Sequence, residues 1–128
     1  MKRKMLDICL QIAKSNLHKH AEPYRHFSFV IVDNRVVEWG TNRRGSPLTH
    51  LGYDRYTKLH SEIDAYFKAR GLIGNQCSFE IVNIRLTKGG IIRNSKPCRC
   101  CFEFLKGLKC KRIWFSTDLE NFARMDVY

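Results

Sequence analysis

Two short stretches carry the residue types needed to hold a metal ion and move a proton: Leu59-His60-Ser61-Glu62-Ile63-Asp64-Ala65 and Lys96-Pro97-Cys98-Arg99-Cys100-Cys101. Brought together in space, they supply one imidazole, two thiolates and one carboxylate. A catalytic zinc takes three protein ligands and keeps the fourth corner of its tetrahedron for water, and His60, Cys98 and Cys101 fill three corners. Residues three apart share a helix face, so Cys98 and Cys101 can reach one ion, whereas Cys100 should point to the opposite side. Pro97 suits a helix start, where the positive end of the dipole favours ionised sulfur. His60 and Glu62 are two apart, awkward for two ligands of one ion but natural for a ligand and a neighbour with another task. Glu62 is therefore the candidate catalytic residue, taking and passing on the proton of a metal-activated water. A non-catalytic zinc-binding module is the competing reading. Purely structural sites usually close with four protein ligands, and neither Cys77, Cys100 nor Cys110 has a spacing that recommends it as the fourth; each reads better as a buried or inert thiol.

The elements that must position these residues follow from periodicity. Met5, Ile8, Cys9, Ile12 and Ala13 recur at helical spacing, predicting an amphipathic first helix that ends before Pro23. Phe27–Val32 and Val36–Gly40 are two β-rich runs separated by Asp33-Asn34-Arg35, which predicts an antiparallel hairpin. From Thr41 to Lys58 the pattern stops, and a loop of that length in a compact domain is often functional. Helical character resumes at His60 with a stop at Gly71, Phe79–Leu86 is a third strand closed by Gly89-Gly90, a second metal-bearing helix runs from Pro97 to about Leu108, and Arg112–Ser116 is a fourth strand. Too few residues remain after Ser116 for a parallel crossover. A last strand over Phe122–Val127 should thus pair antiparallel with the fourth.

At 128 residues, with 44% hydrophobic and 27% charged residues, the chain is expected to form a single domain, residues 1–128, with a core of its own. No apolar run is long enough to span a bilayer, and Asp7 and Gln11 interrupt the basic N-terminus too early for an export signal. Three of six cysteines crowd into Cys98, Cys100 and Cys101, so thiolate ligation in a reducing, cytoplasmic compartment is expected, rather than disulfides. The net charge of +11 tilts the expected partners towards phosphate-bearing molecules, free nucleotides or nucleic acid.

The pairing of H-x-E with P-C-x-x-C, through His60, Glu62, Pro97, Cys98 and Cys101, resembles the zinc-dependent cytidine/deoxycytidylate deaminase superfamily. The order of elements is similar to that family's over nearly the whole chain. The resemblance implies a three-layer α/β fold with a central mixed five-stranded sheet flanked by helices, the last strand antiparallel. It also implies one catalytic zinc ligated by His60, Cys98 and Cys101, and attack of zinc-bound hydroxide on C4 of cytosine, with Glu62 shuttling protons and ammonia leaving to give uracil.

Two looser matches concern substrate. Pro23–Phe27 is similar to the segment entering the first strand of free-nucleoside enzymes, which makes Phe27 a candidate to pack on the base, beside its plain reading as core. Gly40-Thr41-Asn42 is similar to a strand end whose asparagine binds ribose, which makes Asn42 the sugar-binding candidate, beside its reading as a turn residue. Where free-nucleoside enzymes usually carry glutamate, this chain has Arg44, and the pair Arg43-Arg44 suits a phosphate better than a neutral hydroxyl. A histidine ligand is commoner in deoxycytidylate, tRNA and polynucleotide deaminases, yet the short tail favours the free-nucleoside branch. The expectation is hydrolytic deamination of cytosine in a free nucleoside or nucleotide. A cytosine deaminase acting on single-stranded DNA or RNA, and adenine as the base, stay open, as does assembly into a homo-oligomer through the helices carrying the site. His50 in the long loop, Trp114 and Phe115 on the fourth strand, and the basic stretch Lys106 to Arg112 read more simply as solvated or core residues.

Overall fold

The structure, a computed structural model, describes residues 3–20, 25–44, 58–74 and 78–127, with the side chains of residues 43, 44 and 58 outside that description. Its elements run α1 (Arg3–Ser15), a 3-10 turn (Leu17–Lys19), β1 (Arg25–Val32), β2 (Arg35–Thr41), β3 (Arg43–Arg44), β4 (Lys58–Leu59), α2 (Ser61–Ile73), β5 (Phe79–Leu86), β6 (Ile92–Arg93), α3 (Arg99–Lys106), β7 (Cys110–Ser116) and β8 (Phe122–Asp126). The main sheet has the order β2-β1-β5-β7-β8, with β6 added against one end of β5. Among the described strands only β5 and β7 run parallel, joined by the crossover through α3; β1 with β2, β1 with β5 and β7 with β8 are antiparallel.

Strand alternation sorts the side chains into two cores. Phe27, Phe29 and Ile31 of β1 and Val82, Ile84 and Leu86 of β5 face α1, where Leu6, Cys9 and Ala13 form the buried stripe. Val30, Ile81 and Ile113 face the other way, against Ala65, Ala69 and Ile73 of α2 and Leu105 of α3. The result is three layers: one helix, the sheet, two helices. The β1–β2 hairpin turns on Asp33 (φ 51) and Asn34 (φ 60), left-handed residues of the kind a two-residue hairpin loop requires.

α2 is held unusually close to β2. A Cβ placed on Gly40 would lie 2.7 Å from Asp64 Oδ2 and 2.9 Å from Ala65 Cα, and would overlap the Ala65 amide nitrogen. Asp64, buried in the first turn of α2, accepts from the Thr41 N–H at 3.0 Å and from Lys68 Nζ at 3.1 Å, pinning the start of the helix to the end of β2.

Three expectations change. The sheet has six strands instead of five, because Ile92 and Arg93 return along β5 after the Gly89-Gly90 turn. α2 continues past Gly71 to Ile73 and is capped by Gly74, whose φ of 68° lies in the left-handed region open to glycine. The long irregular segment is bridged at its ends, where Arg43 and Arg44 pair with Leu59 and Lys58; residues 45–57, including His50, lie outside the described residues. The expected antiparallel last strand is present. Among the described residues no helix is long and apolar enough to cross a membrane.

Candidate metal centre and active site

Both candidate metal-binding stretches sit at helix starts. His60 is the N-cap of α2 and Cys98 the N-cap of α3, each with extended backbone. The Cys101 amide donates to Cys98 Sγ at 3.4 Å, so the first thiol caps its own helix. Two helices from distant parts of the chain thus aim their positive ends at one place.

His60 Nδ1 lies 3.6 Å from Cys98 Sγ and 3.2 Å from Cys101 Sγ, and the three donor atoms all lie within 4.8 Å of one another. Ligands at the usual 2.0–2.3 Å from a tetrahedral zinc stand about 3.5 Å apart, so this donor set and spacing fit zinc. Cys101 is buried and its hydrogen bond to Cys98 holds the Cys98 thiol down at about 5, while the same contact pushes Cys101 up. Cys100 is exposed and takes no part in the cluster, as its position on the helix predicted. Cys9 and Cys110 are buried, which pushes both thiols up to about 12 and leaves them inert; Cys77 lies outside the described residues.

Glu62 lies beside this cluster with its carboxyl buried among polar partners. Asn83 Nδ2 donates to Glu62 Oε2 at 3.1 Å and to the Ser95 carbonyl at 3.3 Å, and the carbonyl, which only accepts, fixes the orientation of the amide. Its Oδ1 then accepts from Ser28 Oγ at 2.6 Å, and Ser28 Oγ meets Ser61 Oγ at 2.7 Å. Ser61 also reaches Glu62 Oε1 at 3.3 Å. Ser28 spends its one proton on Asn83, so Ser61 has a single proton to share between Ser28 Oγ and Glu62 Oε1. Burial pushes the Glu62 carboxyl above the ordinary carboxylate range, with its backbone hydrogen bond, His60 and Asn83 opposing it.

A cavity of about 250 Å³ opens onto Glu62, His60 and Cys98, with His26, Asn42 and Ser95 on its walls and Lys96 also lining it. Of the residues singled out from sequence, His60, Glu62, Cys98 and Asn42 line this cavity, with Cys101 beneath it. Asn42 is held by accepting from the His26 backbone N–H at 2.9 Å. Phe27 is placed elsewhere: alternation along β1 turns it into the core under α1, with its ring 5.3 Å from His20 and 6.1 Å from Trp39, and the cavity wall is formed by His26 instead. Burial, with Arg85, His60 and His20 adding like charge, lowers His26 to about 4 and keeps it neutral at ordinary pH. The Arg44 side chain lies outside the described residues. Trp114 packs on the α1 side and donates to Glu80 Oε2 at 2.9 Å, away from the cavity.

The sequence reading missed Ser28, Ser61, Asn83, Ser95 and His26. A signal for two of them was present, since Ser28 and Asn83 interrupt apolar strand runs at positions that must be buried, and buried polar groups need partners.

No family model matches the sequence, and no curated protein is similar enough to match it. Solved structures are similar in fold. A cytidine deaminase from Burkholderia pseudomallei superposes with a TM-score of 0.67 at 14% identity, over 99% of this chain and 94% of that one. A dCMP deaminase from the cyanophage S-TIM5 gives 0.64 at 15% identity over 91% and 86%, and a cytidine deaminase from Mycobacterium leprae 0.60 at 13% over 95% and 92%. With its mixed sheet between one helix and two, and its metal-type cluster at the starts of α2 and α3, this chain has the cytidine deaminase fold.

Proposed function

We propose that this protein hydrolytically deaminates a cytosine base carried in a free nucleoside or nucleotide. The observation that carries the reading is the convergence of His60, Cys98, Cys101 and a buried Glu62 on one cavity. The likeness in fold to cytidine and dCMP deaminases supports it, one of them described in complex with dCMP and dUMP. His60, Cys98 and Cys101 would hold zinc, whose chemistry there is to lower the pKa of water towards neutrality. Glu62 takes one proton of the attacking water and delivers it to the ring nitrogen beside C4, then takes the remaining proton of the new C4 hydroxyl and delivers it to the departing amine. A C4–O bond forms, the C4–N bond breaks, and ammonia leaves. Asn83 and Ser61 orient the Glu62 carboxyl for these transfers. The cavity is small against the roughly 300–1,000 Å³ of sites for larger ligands, which favours a base-sized group beside Glu62, with Asn42 on its wall available to the sugar.

Assays run side by side on cytidine, deoxycytidine, deoxycytidylate and a cytosine-containing oligonucleotide test this reading. Ammonia release from at least one monomer is expected. Activity confined to the oligonucleotide and lost steeply with added salt would replace the free substrate with a polynucleotide.

A further inference from the structure

A second depression, of about 470 Å³, lies on the opposite face of the same strand end, lined by Lys14, Leu17, His18, His20, Arg25 and Lys88. It shares no residue with the catalytic cavity. Arg25 and His26 are successive residues of β1, so their side chains leave on opposite faces of the sheet. His26 lines the catalytic cavity and Arg25 the second depression.

Four separate segments deliver these groups: the last turn of α1, the 3-10 turn, the start of β1 and the turn after β5. None of the described lining residues is acidic. Among the described residues, Lys14, His18 and Lys88 make no ion pair or side-chain hydrogen bond. Lys14 has a local reason for its place, the negative end of the α1 dipole. Lys88 has none and adds like charge to Arg25 and Lys14. The His20 ring packs edge-on against Phe27 at 5.3 Å, and a Cβ placed on Gly90 would lie 3.7 Å from Leu17 Cδ2. A concavity whose described charged side chains share one sign concentrates counter-ions of the other, and the Lys14 and Lys88 ammonium groups beside Arg25 suit an anion with several oxygens.

We propose that the depression formed by Lys14, Arg25 and Lys88 is a phosphate-binding site separate from the catalytic cavity. It takes the phosphates of a polynucleotide backbone or of a free polyphosphate. The site is independent of the deaminase reading.

The test measures binding of a fluorescently labelled all-thymidine 20-mer to the intact protein by anisotropy across a salt series. Thymidine has no exocyclic amine, so failure of the deaminase reading leaves this result untouched. Lys14→Ala/Lys88→Ala is compared with Lys106→Ala/Lys111→Ala, which removes the same charge from exposed positions elsewhere. The first pair is expected to weaken binding at least about tenfold more than the second, and to reduce the log–log salt slope by about 1.4, the single-strand value for two phosphate contacts. Lys14→Arg/Lys88→Arg should keep wild-type binding, which separates a charge effect from a folding defect. Inorganic triphosphate, titrated by calorimetry, distinguishes the source. Loss of triphosphate binding in the alanine pair assigns the site to free polyphosphates, and loss of strand binding alone assigns it to a nucleic-acid backbone. If both ligands bind the Lys14/Lys88 alanine variant as tightly as the control variant, the proposal fails.

Discussion

Asn83→Ala is the substitution that interrogates the polar ring around Glu62 most fully. Asn83 is 3% exposed and meets Glu62 Oε2, the Ser95 carbonyl and the Ser28 hydroxyl. Truncation strands two acceptors and one donor in a buried place, and each such group costs about 1–3 kcal/mol when left unpaired. Water entering the vacated volume recovers part of this, so a net loss of roughly 2–4 kcal/mol is expected. With a urea slope of about 2 kcal/mol/M for a small protein, the midpoint should fall by on the order of 1–2 M. Metal content should stay at the wild-type level, because Asn83 contacts none of His60, Cys98 and Cys101. If the deamination reading holds, ammonia release should drop at least about tenfold in kcat with KM nearly unchanged, since the residue positions Glu62 and does not line the cavity. Wild-type urea stability together with wild-type kcat would refute the idea that this ring holds the carboxyl.

Other perturbations have distinct signatures. Cys98→Ser should remove bound zinc and lower the thermal midpoint together, as shown by metal analysis and calorimetry, because metal binding and folding are linked where the ligands come from separate helices; a variant with full zinc content would take Cys98 out of the site. Gly40→Ala should cost about 1–3 kcal/mol by forcing β2 away from the start of α2, and an unchanged midpoint in urea would contradict that close packing. His26 has a folded pKa of about 4 against 6.5 unfolded. Between those values the unfolded chain binds more protons, so this residue's contribution is intact above pH 6.5 and is lost as pH falls towards 4. Replacing His26 by Asn should flatten the stability–pH slope in that window by up to about 1.4 kcal/mol per pH unit, and an unaltered slope would show that His26 does not titrate this way.

Much of the scaffold was readable from local pattern. The period-two runs of β1 and β2 meet at Asp33-Asn34, the α1 stripe needs only its own spacing, and the antiparallel β8 follows from the length of chain after Ser116. The metal cluster was legible for a related reason: cysteines three apart at a helix start define their own geometry, and His60 was the natural partner. β6 was not legible, because two residues become a strand only through the edge that β5 offers them. The same holds for the β3–β4 pairing across the long loop. Phe27 illustrates a different limit. Sequence similarity to a base-contacting segment pointed to Phe27, but one step along a strand exchanges core for cavity, and the face was decided by Ser28 and Asn83 meeting Ser61 and Glu62 on the far side of the sheet. The ring around Glu62 joins residues from β1, α2 and β5, and no local spacing announces such a contact.

The most direct measurement counts zinc per chain in the purified protein and in Glu62→Gln, then follows ammonia release from cytidine and deoxycytidylate by both. One zinc per chain in each protein is expected, with turnover in the variant reduced by about 10²–10⁴-fold, the usual worth of a positioned proton-transfer group. Metal-free wild-type protein that still turns over, or a Glu62→Gln variant as active as wild type, would contradict a zinc site served by a glutamate proton carrier.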